Sequence, residues 1–171
     1  RSSLSPPDTE RQASDSTIKP NTITTTTSIA SGLLVVDDNP VNLRIIIRIL
    51  DSSGFTTVSA QNGQEALCIL SNRSTLNSAT AVAAGTGSLH ESPIDLIIMD
   101  MAMPVMSGLD AAKEIRRRES VTIQKKKNRR IPIIGLSGHL QDSYAKRAIE
   151  SGMDEYITKP FRKNDLLEAI E

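Results

Sequence analysis

The sequence predicts an α/β fold: five strands alternating with five helices around one doubly wound parallel sheet. Three observations predict it. Short apolar runs such as "LLVV" (33–36) and "LIIM" (96–99) lack polar alternation, as strands buried on both faces do. Segments with apolar residues at helical spacing separate these runs. The two kinds of segment alternate regularly, and right-handed crossovers then put helices on both faces of a parallel sheet.

The elements follow in order. After Leu33–Val36 come Asp37, Asp38, Asn39 and Pro40; Asp38 or Asn39 can cap a helix whose first turn suits Pro40. Ile46, Ile49 and Leu50 form its inward stripe, and Gly54 can end it. "TTVSA" (56–60) is a second strand, and Asn62 can cap "GQEALCIL", with Ala66, Leu67 and Leu70 on one face. "DLIIMD" (95–100) is the third strand, followed by "SGLDAAKEIRRR" with Leu109, Ala112 and Ile115 inward. "IPIIGL" (131–136) is the fourth strand, and "QDSYAKRAIESG" is a helix closed by Gly152. "MDEYIT" (153–158) is the fifth strand, and "NDLLEAI" begins a last helix.

Outside this pattern lie three polar segments. Residues 1–31 are read as a disordered linker, because residues 1–30 hold 13 Ser or Thr and few apolar side chains. Residues 72–92 are read as a surface insertion. A second insertion is placed near 118–130; residues 116–130 carry eight Lys or Arg and read as an exposed helix end and loop, with Lys125 to Arg130 solvated. The domain proper is residues 32–171, in a chain read as a piece of something longer that is cut within its last helix.

The totals narrow the function. Lys+Arg and Asp+Glu balance at 20 each, so bulk charge suggests no nucleic-acid or membrane partner. Two Phe, two Tyr and no Trp leave little for stacking on single-stranded nucleic acid. The lone Cys68 cannot form an intrachain disulfide, which fits a reducing, cytoplasmic compartment. No apolar run approaches the ~18 residues of a membrane span.

Chemistry gathers at the strand ends. In open α/β sheets the functional crevice lies beyond the carboxyl ends of the strands. Strand one ends in Asp37 and Asp38, strand three in Asp100, strand four in Gly135-Leu136-Ser137-Gly138, and strand five in Thr158-Lys159-Pro160. Asp100 alone, at the tip of an apolar run, reads as a surface residue or cap; its company makes it a functional candidate. Three close carboxylates call for a cation, and Mg²⁺ suits hard oxygen ligands. Lys159 can pair with a phosphoryl group and Ser137 can donate to one, a set suited to phosphoryl transfer onto a carboxylate. His139 reads as a polar residue opening the fourth helix, His90 belongs to no motif, and Met99, Met101, Met103 and Met106 read as packing and loop residues.

The pieces "LLVVDDNPVN", "DLIIMDMAMPVMSG", "IPIIGLSGHL" and "GMDEYITKPF" resemble, in that order, a response-regulator receiver domain of two-component signalling, most like those attached to hybrid histidine kinases. The resemblance implies a flavodoxin-like (βα)5 sheet of strand order 2-1-3-4-5. It implies Asp100 as phosphoryl acceptor, with Asp38, Asp100 and the backbone carbonyl of Ala102 ligating Mg²⁺ and Asp37 assisting directly or through water. Lys159 would pair with the phosphoryl group across a cis Lys159–Pro160 bond, Ser137 would move toward that group, and Tyr156 would rotate inward. The implied donor is a phosphohistidine on a kinase core or a histidine phosphotransfer domain; the downstream partner is not implied. The segment itself would not be an enzyme, although its parent would be a hybrid kinase. Two other readings stand beside this one. An aspartyl-phosphate phosphatase would need an acid two residues after the nucleophile, where Ala102 stands. A docking module that is never phosphorylated would ordinarily lack the acceptor or the lysine, and both are present.

Overall fold

The computed structural model describes residues 32–76, 93–123, 130–138 and 142–171. Within them β1 (Gly32–Val36), β2 (Thr56–Ala60), β3 (Ile94–Asp100), β4 (Ile133–Ser137) and β5 (Glu155–Thr158) form one sheet of order β2-β1-β3-β4-β5, parallel at every pairing. The helices α1 (Pro40–Asp51), α2 (Gly63–Leu76), α3 (Gly108–Ile123), α4 (Asp142–Glu150) and α5 (Lys163–Glu168) follow each strand in turn. The linker, most of the first insertion, His90, the run 124–129 and His139 lie outside the described residues.

Alternation across the pleat splits the central strands into two cores. Leu34, Val36, Ile97, Met99 and Ile133 pack with Ala66, Leu67, Ala111, Ala112, Ile115 and Ala148 from α2, α3 and α4. Leu33, Val35, Leu96, Ile98, Ile134 and Leu136 pack with Leu43, Ile46, Leu50 and Leu166 from α1 and α5. Burial on both faces is why these strands read as unbroken apolar runs. Met101 and Met103 are buried in the first core.

Local chemistry sets the ends. The Asn39 side chain accepts from the Val41 N–H at 2.9 Å ahead of Pro40. The Asn62 side chain accepts from the Glu65 N–H at 2.9 Å and so caps α2. Gly152 closes α4 at φ +94, a conformation that favours glycine.

Two expectations need correction. Helix α2 runs to Leu76, into the segment read as the first insertion, whereas α3 ends at Ile123, within the stretch read as a helix end and loop. The stretch from residue 116 is also not a uniformly solvated helix end. Arg116 is mostly buried and donates to Gly152 O, Ile131 O, Glu119 and Asp154. Buried Glu119 in turn accepts from the Ile131 N–H, and Asp154 from the Ile133 N–H and Arg130. This network fastens α3 to the start of β4 and to the α4–β5 turn, and it explains why three consecutive arginines do not all face water.

Candidate functional site: an acidic cup closed by a lysine

Parallel strands in register bring distant residues to one rim. Val36 is in register with Met99, so Asp37 follows β1 beside Asp100 at the end of β3. Asp100 is in register with Leu136, and Ser137 with Thr158, so Ser137 and Lys159 come to the same edge. One oxygen each from Asp37, Asp38 and Asp100 lies within 4.8 Å of the others. Asp37 is fully buried, Asp100 nearly so, and Asp38 is exposed.

Lys159 spans the cup. Its Nζ donates to Asp37 Oδ2 at 2.7 Å and to Asp100 Oδ2 at 2.8 Å. Burial works against the ammonium, but the hydrogen bonds to Asp100 and Asp37 outweigh it and hold the pKa above the usual lysine value of 10.5. The lysine is placed by its N–H, which donates to Ser137 O, and the Lys159–Pro160 bond is cis.

The β3–α3 loop shapes the surroundings of Asp100. The Ala102 N–H donates to Asp100 Oδ1 at 3.3 Å, and the Met101 N–H donates to Leu136 O at 2.9 Å. Gly108 passes under the strand end so closely that a Cβ there would sit 2.0 Å from Asp100 O. Only glycine permits that approach.

Asp37, Asp38, Asp100 and Lys159 thus meet, and Ser137 is buried at the end of the adjoining strand. Tyr156 lies on β5 in register with Gly135 and is 37 % exposed. Asn42 was missed by the sequence reading. Its Nδ2 donates to Asp37 Oδ1 at 3.1 Å and Oδ2 at 3.2 Å, while the Asn39 N–H donates to Oδ1 at 2.9 Å. The signal was available: position 42 is on the first turn of α1, where side chains lean back toward the helix start.

The donor set fits a hard divalent cation. It consists of carboxylate oxygens, and an ammonium already bridges two of them, which shows that the cup holds positive charge favourably.

Known proteins carry the same arrangement of elements. The response regulator receiver domain family matches residues 33–171. Histidine kinase 1 of Arabidopsis thaliana is 32% identical over 154 residues, covering 81% of this chain and 12% of that protein. The sensor histidine kinase GacS of Pseudomonas protegens is 30% identical over 146 residues, covering 85% and 13%. The chain therefore spans about an eighth of the length of these relatives. Among solved structures, the receiver domain of the Saccharomyces cerevisiae response regulator Ssk1, in a co-crystal with the histidine phosphotransfer protein Ypd1, superposes with a TM-score of 0.66 at 28% identity, covering 82% of this chain and 86% of that one. The receiver domain of a Pseudomonas aeruginosa sensor histidine kinase, with magnesium in its active-site cleft, gives 0.60 at 28% identity, covering 82% and 94%.

Proposed function

Because this chain belongs to the response regulator receiver family, we propose that Asp100 is where it takes up a phosphoryl group from a phosphohistidine donor. The domain is a receiver of two-component phosphorelay signalling. The observation that carries the assignment to Asp100 is the bridge from Lys159 to Asp37 and Asp100, residues 122 and 59 positions away in the chain.

In the transfer, an Asp100 carboxylate oxygen attacks phosphorus in line with the phosphohistidine P–N bond. The O–P bond forms as the P–N bond breaks, and the imidazole nitrogen leaves with the electron pair and is protonated from solvent. Lys159 supplies positive charge to the phosphoryl oxygens, and the Ser137 hydroxyl donates to one of them. Mg²⁺ would be held by Asp38, Asp100 and the Ala102 carbonyl, with Asp37 assisting directly or through water; it would supply charge neutralisation. The phosphorylated state then shifts the population of surface conformations, with Ser137 and Tyr156 as the moving side chains.

The donor we infer is a kinase core or a histidine phosphotransfer domain, with a hybrid histidine kinase as the parent of this segment and the cytoplasm as its location. Helix α1 supports docking beside the cup: Val41 and Ile45 are exposed and flank a groove of about 370 Å³ lined by Asn42, Ile45, Ile46, Lys159, Pro160 and Phe161. Among the described residues no helix is long and apolar enough to cross a membrane.

Intact-mass measurement after incubation with a phosphorylated histidine phosphotransfer domain tests the reading. The parent chain gains one phosphoryl group with Mg²⁺ and none with chelator. If Asp100→Asn is labelled as well as the parent, the assignment is wrong.

A further inference from the structure

Asp37 is the most enclosed carboxylate of the cup, and both of its oxygens already accept hydrogen bonds. Each oxygen of an ionised carboxylate accepts about two hydrogen bonds. Oδ1 accepts from the Asn39 N–H and Asn42 Nδ2, and Oδ2 from Asn42 Nδ2 and Lys159 Nζ. Asn42 straddles both oxygens. A cation reaching Asp37 directly must displace one of these donors. Asp38, by contrast, is exposed, and the second oxygen of Asp100 accepts a long bond of 3.3 Å from the Ala102 N–H.

We propose that Asn42 is a specificity-determining residue of the cation site: by occupying both oxygens of Asp37 it limits the direct carboxylate ligands to Asp38 and Asp100, and so favours Mg²⁺ over Ca²⁺. The inference rests on the reading of the cup as a divalent-cation site. Mg²⁺ binds through one or two carboxylates and keeps several of its waters, whereas Ca²⁺ takes about six to eight oxygens in flexible geometry. A third carboxylate released into the cup supplies oxygens that Ca²⁺ uses and that Mg²⁺, with its retained waters, does not. The neutral carboxamide is suited to this role. One amide N–H shared between the two oxygens of a buried carboxylate holds it without adding a charge that would repel an incoming cation.

Isothermal titration calorimetry with MgCl₂ alone and with CaCl₂ alone reads both affinities on the full chain and on Asn42→Leu, a near-isosteric change that removes the donors. Asn42→Ala is the second variant, for which a folding failure through crowding does not apply. The ratio of Ca²⁺ affinity to Mg²⁺ affinity rises about tenfold in the variants, at the low end of what losing an outer-shell partner does to a metal site. An unchanged ratio, or equal weakening toward both ions, overturns the proposal and leaves Asn42 as a support for the start of α1. If the unmutated chain takes up neither ion, the cation-site reading itself falls, which is a distinct result.

Discussion

Replacing Lys159 with methionine removes the cup's own cation while keeping an unbranched apolar stem of nearly the same length. Asp37 and Asp100 carry oxygens within 4.8 Å of each other, and two unit charges at that separation repel by about 3.5 kcal/mol at an effective dielectric constant of about 20. Two charge-assisted hydrogen bonds, each contributing about 1.5–3 kcal/mol, disappear as well. Offsetting this, the ammonium no longer has to be desolvated at a position where the side chain is 22% exposed, and Asn42 and Asn39 still hold Asp37. The net cost is about 3 kcal/mol, or a fall in Tm of roughly 6–12 °C for a domain of this size. Thermal unfolding in chelator reads it. Because the folded-state pKa of Lys159 is raised above 10.5, its contribution is fully present below that value and is lost only as pH rises through the folded pKa. The difference between parent and variant should therefore stay flat through neutral pH. Excess Mg²⁺ should raise the variant's Tm by more than the parent's, since the bound ion relieves a larger repulsion. A variant as stable as the parent in chelator, or an equal response of both to Mg²⁺, would show that the carboxylates do not repel as argued.

Four further outcomes can be checked independently. Gly108→Ala sets a Cβ against Asp100 O, so the backbone must move; a loss of about 1–3 kcal/mol in urea unfolding and slower phosphorylation are expected. Arg116→Met leaves Glu119 buried without its guanidinium, and the expected loss is about 3–5 kcal/mol, recovered in part by adding Glu119→Met. The Glu114 carboxyl, hydrogen-bonded by Arg117 and then Arg118, is held down at about 2 from 4.5. Its stabilising contribution is present above 4.5 and lost as pH falls through about 2, and NMR titration of an Arg117→Ala, Arg118→Ala variant should return it toward 4.5. Ala102→Gln places an amide beside the acceptor that can orient water, so the phosphorylated form should lose its phosphate faster, read by intact mass over time.

The fold was legible because its information is local and repeated. Runs such as Leu33–Val36 are apolar on both faces only if a sheet is covered on both sides, and that fixes the layer arrangement. The acidic rim was legible because charged residues directly after such runs have one place to go. Asn42 escaped because its only signal, a place on the first turn of α1, gains meaning from Asp37 being fully buried, a tertiary fact. Arg116 escaped because a triplet of arginines reads as solvated. Yet Leu109, Ala112, Arg116 and Glu119 continue the inward stripe of α3 at helical spacing, and the carbonyls of Ile131 and Gly152 satisfy the guanidinium there. The end of α2 was misplaced because Ser71, Asn72 and Ser74 are poor helix formers. Ser71 accepts from Arg118 on α3 while its own hydroxyl donates to Leu67 O.

The charge arrangement also constrains how the site can work. Three carboxylates and one ammonium leave the cup with two negative charges, which one divalent ion cancels. Without Lys159 the same three acids would leave an odd charge that a single Mg²⁺ could not neutralise. Under the proposed function, phosphorylation would replace the single charge of Asp100 with the roughly doubled charge of a phosphoryl group. The Nζ that now rests on Asp100 Oδ2 at 2.8 Å is then beside the added charge without crossing the cup. Its second contact, to Asp37, is the one that limits its reach, because Asp37 is held in place by Asn39 and Asn42. A lysine tied to a fixed carboxylate on one side and to Asp100 on the other would have little freedom to lose on the arrival of a phosphoryl group, so its charge would act with small reorganisation.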